Sequence, residues 1–378
     1  MIPPDQELRI TGLAVVSHDS SGAMCSTVTG RGDSGERMMI DVPPGGMVTM
    51  VEDTNRQGRG LFTWTEVQPG DELAFPSPVR DDLSPQTVQV ALTIPTVPTA
   101  GSYEVFLQCE HGGGGLGESA PAGAYTRALE CPPTSTSIAA YVITEATDSP
   151  QIAVSAVTPI ATTGTTTLTV GPWMTPARPT ITLRGAAGFD LKYAGFSPGA
   201  ASGFQSVTHL SSTSGATDPA TIPPRDLPPT WRNHVTVAVG TNASPRAMLA
   251  IARDQATPTS LDLTVGTDFM PMLSAQLTAP LPRPTITWTV PGSVPAADIV
   301  LANAGRWLIA ARPQNVVRFP EVPASLLPAA PASVLALMLI DGQTITSFDE
   351  VRKDPVRVHE LAEFRSTSLG DQVRAIVP

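Results

Sequence analysis

Apolar and polar residues alternate along most of this chain in short runs. Clusters of Gly, Pro, Asp and Ser break the runs at spacings of about 8–12 residues, the rhythm of strands joined by turns. The first 75 residues show it best. Alternation predicts strands at Leu8–Val16, Ala23–Thr29, Arg37–Val42, Gly46–Glu52 and Leu61–Val67. Between them, His18–Gly22, Gly32–Gly35 and Pro69–Asp71 have turn chemistry, with Asp and Ser able to bond their own backbone and Gly free to take a positive φ. Residues 76–86 are a Pro- and Ser-containing linker.

Strand-like runs resume at Thr87–Ile94, Tyr103–Cys109, Ser137–Glu145, Gln151–Val157, Thr165–Val170 and Thr180–Arg184. Residues 186–232 read as irregular, with one strand at about Phe204–Ser211 and a Pro-rich closure before Trp231. The pattern returns at His234–Val239, Ala247–Ala252, Ser260–Val265, Leu273–Thr278 and Thr285–Val290. It continues through Asp298–Ala302, Trp307–Ala310 and Val316–Phe319. Val334–Ile340, Thr344–Phe348 and Val356–Phe364 then complete the last sandwich.

The chain also echoes itself. Leu168-Thr169-Val170-Gly171 recurs as Leu263-Thr264-Val265-Gly266, 95 residues later. Arg178-Pro179-Thr180-Ile181-Thr182 recurs letter for letter as Arg283-Pro284-Thr285-Ile286-Thr287. A repeat built of strand-like words implies duplicated β-domains. The expected architecture is therefore all-β: tandem, immunoglobulin-like β-sandwiches with an internal duplication. The expected domains are 1–78, 79–232 (the first copy) and 233–378 (the second copy with the C-terminal strands).

Two family resemblances bear on this. The order strand, Asp19-Ser20-Ser21-Gly22 turn, short strand, Gly32-Asp33-Ser34-Gly35 turn, then Ile40-Asp41-Val42-Pro43 and Val48-Thr49-Met50-Val51, resembles the carboxypeptidase-regulatory-like, or transthyretin-like, β-sandwich. That resemblance covers about residues 7–75. It implies a structural or adhesive module of an exported bacterial protein. Further on, Thr285-Ile286-Thr287-Trp288-Thr289 followed by Trp307-Leu308-Ile309 resembles the core strands of a fibronectin type III-like sandwich. It implies a fold and no activity.

Composition narrows the class of function. Charged residues make up only 15% of the chain and the net charge is −11, with arginines scattered and only two lysines, Lys192 and Lys353. No basic cluster exists to neutralise phosphates, so nucleic acid is not an expected partner. No apolar run reaches the roughly 20 residues that span a bilayer, so no transmembrane segment is expected. The Thr-, Ser- and Pro-rich, lysine-poor make-up suits an exported protein, secreted or attached at the cell surface. On that reading an export signal, with a lipid anchor, lies upstream of Met1; the alternative is a cytosolic protein that starts there.

Three cysteines are present. Cys109 and Cys131 bracket the glycine-rich excursion Gly112–Gly117, and a disulfide between them would close that loop. The alternative is two buried free thiols on neighbouring strands. Cys25, in the alternating run Ala23–Val28, reads as a small buried hydrophobe. Gly112–Gly117 lacks the Gly-Lys-Ser/Thr ending and following helix of a phosphate cradle. His18, His111, His209, His234 and His359 lie far apart and form no metal-ligand spacing. Asp19, Asp33, Asp53 and Asn55 are oxygen donors that could approach one another at one end of the N-terminal sandwich, but turn chemistry accounts for them without calcium.

No Gly-x-Ser-x-Gly elbow or paired carboxylates stand out, so no catalytic residue is assigned and no cofactor or metal is expected. Trp231, after Pro228-Pro229-Thr230, lies in a loop. It is either a core residue or an exposed ligand contact. The expected function is non-enzymatic: an extracytoplasmic structural or binding protein that presents loops to a protein or glycan at a cell surface. A carbohydrate-binding or adhesin module comes second, and a hydrolase with catalytic residues gathered from distant positions third.

Overall fold

The computed structural model describes residues 10–377 apart from 32–36, 55–57, 76–85, 99, 111–116, 133, 146–148, 202–203, 205–208, 242–247, 257–259, 271–273, 280–282, 284, 290–297, 305, 313, 315, 328–334, 343–344, 346 and 355–371. The described chain is nearly all strand. It forms two compact units: unit 1 takes Met1–Asp81, Gly240–Ile251 and Gly266–Pro378, and unit 2 takes Asp82–Val239 and Ala252–Val265.

The chain opens with β1 (Ile10–His18), β2 (Met24–Gly30), β3 (Gly46–Thr54) and β4 (Gly58–Val67). Unit 2 begins with β5 (Gln86–Ile94), β6 (Ser102–Cys109), β7 (Glu118–Ala120), β8 (Gly123–Cys131) and β9 (Ser137–Glu145). It continues with β10 (Ile152–Val154), β11 (Thr158–Pro159), β12 (Thr165–Thr169), β13 (Thr180–Arg184) and β14 (Leu191–Gly199). Next along the chain come β15 (His209–Ser214), β16 (Ala220–Ile222), β17 (Arg232–Gly240), β18 (Met248–Ala256) and β19 (Ser260–Thr264), of which Gly240–Ile251 belong to unit 1. The rest of unit 1 holds β20 (Ser274–Ala279), β21 (Thr285–Thr289), β22 (Ile299–Ala304), β23 (Trp307–Ala311) and β24 (Val316–Arg318). It ends with β25 (Leu335–Gly342), the short helix α1 (Phe348–Val351) and β26 (Gln372–Val377).

In unit 2 two sheets, ordered β12-β5-β8 and β10-β9-β6-β7, share one apolar core. Alternation builds it. Val88, Val90, Leu92 and Ile94 of β5 point inward to meet Tyr103, Val105 and Leu107 of β6 and Ile138, Ala140 and Val142 of β9. The other face of β9 is buried as well: Ala139, Tyr141 and Ile143 join Phe106, Ile152, Phe204 and Trp231 in a second cluster. A strand covered on both faces reads as a continuous apolar run, which Ile138–Ile143 is. The Tyr103 hydroxyl accepts the Val97 N–H at 2.6 Å and pins the chain entering this sheet. Unit 2 also holds a sheet ordered β16-β13-β19 and the strand run β15-β14-β17. There β13 is antiparallel to β16 and parallel to β19, just as β5 is antiparallel to β8 and parallel to β12.

In unit 1 the strands follow the order β26-β25-β22-β23-β4-β3-β1-β2, and β20-β21-β24 form a separate sheet. The N-terminal strands join the C-terminal ones through one parallel pairing, Leu61↔Trp307 to Trp64↔Ala310. On one face Val15, Val48, Phe62, Trp64, Leu308, Ala310, Leu301 and Met338 make a continuous core. On the other face Trp307 Nε1 donates to Thr63 Oγ1 at 2.9 Å. The Thr63 hydroxyl is 2.9 Å from that of Thr49, which lies 2.9 Å from His18 Nε2. This polar chain crosses four strands, and each of its residues is at most 1% exposed.

Several expected elements differ. Arg37–Val42 makes no ladder; Met38, Ile40 and Val42 pack on the unit 1 core instead, so the alternation marks a covering segment and not a strand. Of the expected strand Thr344–Phe348, residues 344 and 346 lie outside the described ones, and Phe348 begins α1. Ser347 caps that helix by accepting the Glu350 N–H, and Asp349 and Glu350 occupy its first turn, where the helix dipole favours acid. The excursion between Cys109 and Cys131 contains β7 and β8, and residues 186–232, expected to hold a single strand at about Phe204–Ser211, contain β14, β15 and β16. Val356–Phe364 lies outside the described residues, while β26 has no counterpart among the expected strands.

Burial, and then the nearby Arg283 charge, push the His18 pKa down to about 4, with Asp19 acting the other way. An unfolded histidine titrates near 6.5. The unfolded chain therefore binds the extra proton between those values, and stability is lost as pH falls through that window. Chemical denaturation of the full chain, followed by a unit 1 probe such as Trp64 fluorescence, should show about 3 kcal/mol lost between pH 7.5 and 4 at this residue. H18Q should flatten that slope; an unchanged slope would refute the assignment.

Candidate functional site

One recess of unit 2 lies beside the doubly covered sheet. It is a cleft of about 270 Å³ lined by Glu104, Ile143, Thr144, Glu145, His209, Pro224, Arg225 and Asp226. Adjacent antiparallel strands supply its acids. Ser102 of β6 pairs with Glu145 of β9 and Glu104 pairs with Ile143, so the two carboxylates are diagonal neighbours on one face. β15 brings His209, and the segment after β16 brings Arg225 and Asp226.

Most of these groups are fixed from within. Glu145 Oε2 accepts from the Ser102 and Ser119 hydroxyls at 2.5 and 2.8 Å. His209 Nε2 is 2.6 Å from the Tyr141 hydroxyl, and the Phe106 ring meets the imidazole edge-on at 5.0 Å. Arg225 donates twice to the Leu210 carbonyl, at 2.9 and 2.5 Å. Asp226 is bound by Arg178 at 2.5 and 3.2 Å. Among the described residues Glu104 has no hydrogen-bond or ion-pair partner. Burial and the Glu145 charge raise its pKa, while Arg225 partly offsets them. Burial and Arg225 hold His209 down at about 4, so the ring is neutral at pH 7.

The cleft thus offers carboxylate acceptors, a neutral imidazole and a guanidinium around a small volume. It can accept hydrogen bonds from hydroxyl or amine groups. Its histidine is engaged with a tyrosine, not with a serine or cysteine nucleophile. Among the described residues no group of three or more His, Cys, Asp or Glu gathers as a metal site would require. A second recess of about 430 Å³ runs along the start of β5 and the turn Ile160–Gly164, and is lined by Gln, Thr and Ser side chains.

The residues singled out from the sequence lie elsewhere. Cys109 and Cys131 are bonded to each other, with Cα atoms 5.6 Å apart and both side chains fully buried. The bond joins the end of β6 to the end of β8 and so ties the two facing sheets together. Trp231 is 5% exposed and packs edge-on against Tyr141 at 5.3 Å. It covers the outer face of β9 and offers no open platform, because that apolar face must itself be shielded from water.

Cys25, expected to be buried, is exposed: β2 is the last strand of its sheet, with no described strand beyond it. Asp19 serves its own turn, accepting from the Ser21 and Ala23 N–H groups, and Asp53 pairs with Arg59. Asp33 and Asn55, like His111 and His359, lie outside the described residues. The cleft residues carried no local signal, since they come from four separate segments. Compared with protein-family models and with curated protein sequences, the chain matches none. No described helix is long and apolar enough to cross a membrane.

Glu104→Gln removes one of two like charges held close together in the cleft. It should stabilise unit 2 at pH 7 by about 0.2–1 kcal/mol, the range for cross-strand pairs. The gain should vanish at pH 3, where the carboxyls are protonated in both states. Denaturation midpoints at the two pH values test this, and a loss of stability at pH 7 would contradict it.

Proposed function

We propose that this chain is an extracytoplasmic, non-enzymatic structural or binding protein made of tandem immunoglobulin-like sandwiches, with the unit 2 cleft as a place where a protein or glycan partner docks. The observation that carries it is the disulfide between Cys109 and Cys131, which crosses from one sheet of a sandwich to the other. Such bonds persist in oxidising compartments and are rare in the cytosol.

Strand order supports the tandem reading. Within unit 1 the order β10-β9-β6-β7 is matched by β26-β25-β22-β23, and within unit 2 its last three places are matched by β17-β14-β15. Around β5, β13 and β21 one antiparallel neighbour is β8, β16 and β24 in turn, while the other neighbour is parallel for β5 and β13 and antiparallel, β20, for β21. Read this way, sandwiches run over about 86–170, 180–265 and 285–377, and β1–β4 form an N-terminal addition. The repeated strand words keep their place: the Leu-Thr-Val-Gly echo falls at β12 and β19, and the Thr-Ile-Thr echo at β13 and β21.

A binding role is favoured over hydrolysis by the fixed state of the cleft. His209, Glu145, Arg225 and Asp226 are each tied to a neighbour, so they form a shaped polar surface more than a reacting set. A lipid anchor upstream of Met1 belongs to the same proposal.

Two measurements test it. Protein recovered from its host should fractionate outside the cytoplasm and yield a linked Cys109–Cys131 peptide on non-reducing mass mapping; a cytoplasmic protein with three free thiols would overturn the reading. Replacing both residues by alanine should lower unit 2 stability by about 3 kcal/mol, the loop-closure value for a separation of this order.

A further inference from the structure

We propose that β2 is a docking edge for a second copy of this chain, whose own β2 pairs antiparallel to it about a two-fold axis centred on Thr27. β2 is the terminal strand of the unit 1 sheet, so the row of backbone N–H and C=O groups on its outer side has no described strand to bond. Only another extended backbone satisfies such a row along its length.

Edges are normally blunted by charge, proline or brevity. β2 has none of these: its seven residues, Met24-Cys25-Ser26-Thr27-Val28-Thr29-Gly30, contain no charge and no proline. Several other terminal strands are protected, while β12 and β20, likewise without charge or proline, are shorter than β2 at five and six residues. β7, β16 and β24 are three residues long. β8 carries Arg127 and Glu130. β15 has its Leu210 carbonyl taken by Arg225. Unit 1 itself is assembled by strand addition, β4 on β23.

The strand is complementary to itself. Pairing about Thr27 sets Thr27 against Thr27, Ser26 against Val28, Cys25 against Thr29 and Met24 against Gly30. The exposed Met24 side chain, at 47%, then lies over a residue with no side chain. Cys25, Thr27 and Thr29 form an exposed stripe that the pairing makes continuous between the copies. A chain of net charge −11 resists self-association in general, and an uncharged edge is where two copies approach without repulsion. The two Cys25 residues sit four residue steps apart, roughly 14 Å, too far for a disulfide but within reach of a bis-maleimide.

The experiment is sedimentation and light scattering of the full chain at about 100 µM, with T27K, T27D and their equimolar mixture. Thr27 is exposed, so each variant keeps the fold, which circular dichroism verifies. The wild type should be dimeric, each variant alone monomeric, and the mixture dimeric again, because an ammonium then faces a carboxylate across the axis. A bis-maleimide of matching span should cross-link wild-type copies through Cys25 and fail with T27K. A wild type that stays monomeric overturns the proposal, and so does a T27K protein that remains dimeric.

Discussion

Four residue pairs hold unit 1 together. Leu61 to Trp64 of β4 run parallel to Trp307 to Ala310 of β23, and through them the N-terminal strands become part of a sheet whose other half is nearly 250 residues away in sequence. The join is costly in chain entropy, since the loop it closes is long. It is offset on both faces. One face buries Trp64 and Phe62 against Leu308 and Ala310. The other buries Trp307, whose indole N–H would be left without a partner there if Thr63 were not opposite. That requirement propagates: Thr63 engages Thr49, and Thr49 engages His18, so strands that do not touch are coupled by a single buried row of polar groups.

Unit 2 solves a related problem differently. Its sheet β10-β9-β6-β7 is apolar on both faces and needs cover on both. Inside, the β12-β5-β8 sheet provides it and Cys109–Cys131 locks the two sheets. Outside, Phe204 and Trp231 cover Tyr141 and Phe106, and the cleft opens where that cover ends, at His209 and Ile143. The cleft and the aromatic cover are therefore one construction. The Tyr141 hydroxyl, whose ring is buried in the cover, also fixes the imidazole in the cleft.

Much of the strand inventory was legible because burial on one face imposes period two. β13 begins and ends where alternation and turn chemistry place it, at Thr180–Arg184, and β9, buried on both faces, is marked instead by its continuous apolar run within Ser137–Glu145. Failures share a cause. β8 reads as polar because most of its residues are exposed or half-buried; Leu129 and Cys131 are buried in the core and Tyr125 packs at its edge. Met38, Ile40 and Val42 alternate like a strand but meet the core without a ladder. Ser347 to Glu350 has the Ser-x-x-Glu spacing of a helix start, a local signal that competes there with the strand-like alternation before it. The cleft left no trace, since Glu104, Glu145, His209 and Arg225 are ordinary residues of separate strands and loops until pairing register brings them together.

The sequence by itself determined that this is an all-β chain, which segments alternate, which tryptophans are large and apolar enough to anchor a core, and that words repeat. Repeated words identify strands but not their neighbours, because a strand's hydrogen-bond partners are chosen by register and by what covers each face. Only the tertiary structure decided that β12 lies parallel to β5 and β19 parallel to β13, that Cys25 sits on an open edge while Trp231 is enclosed, and that strands from the two ends of the chain share one sheet. Those choices depend on satisfying buried backbone and indole groups across large sequence separations, a condition that no local pattern encodes.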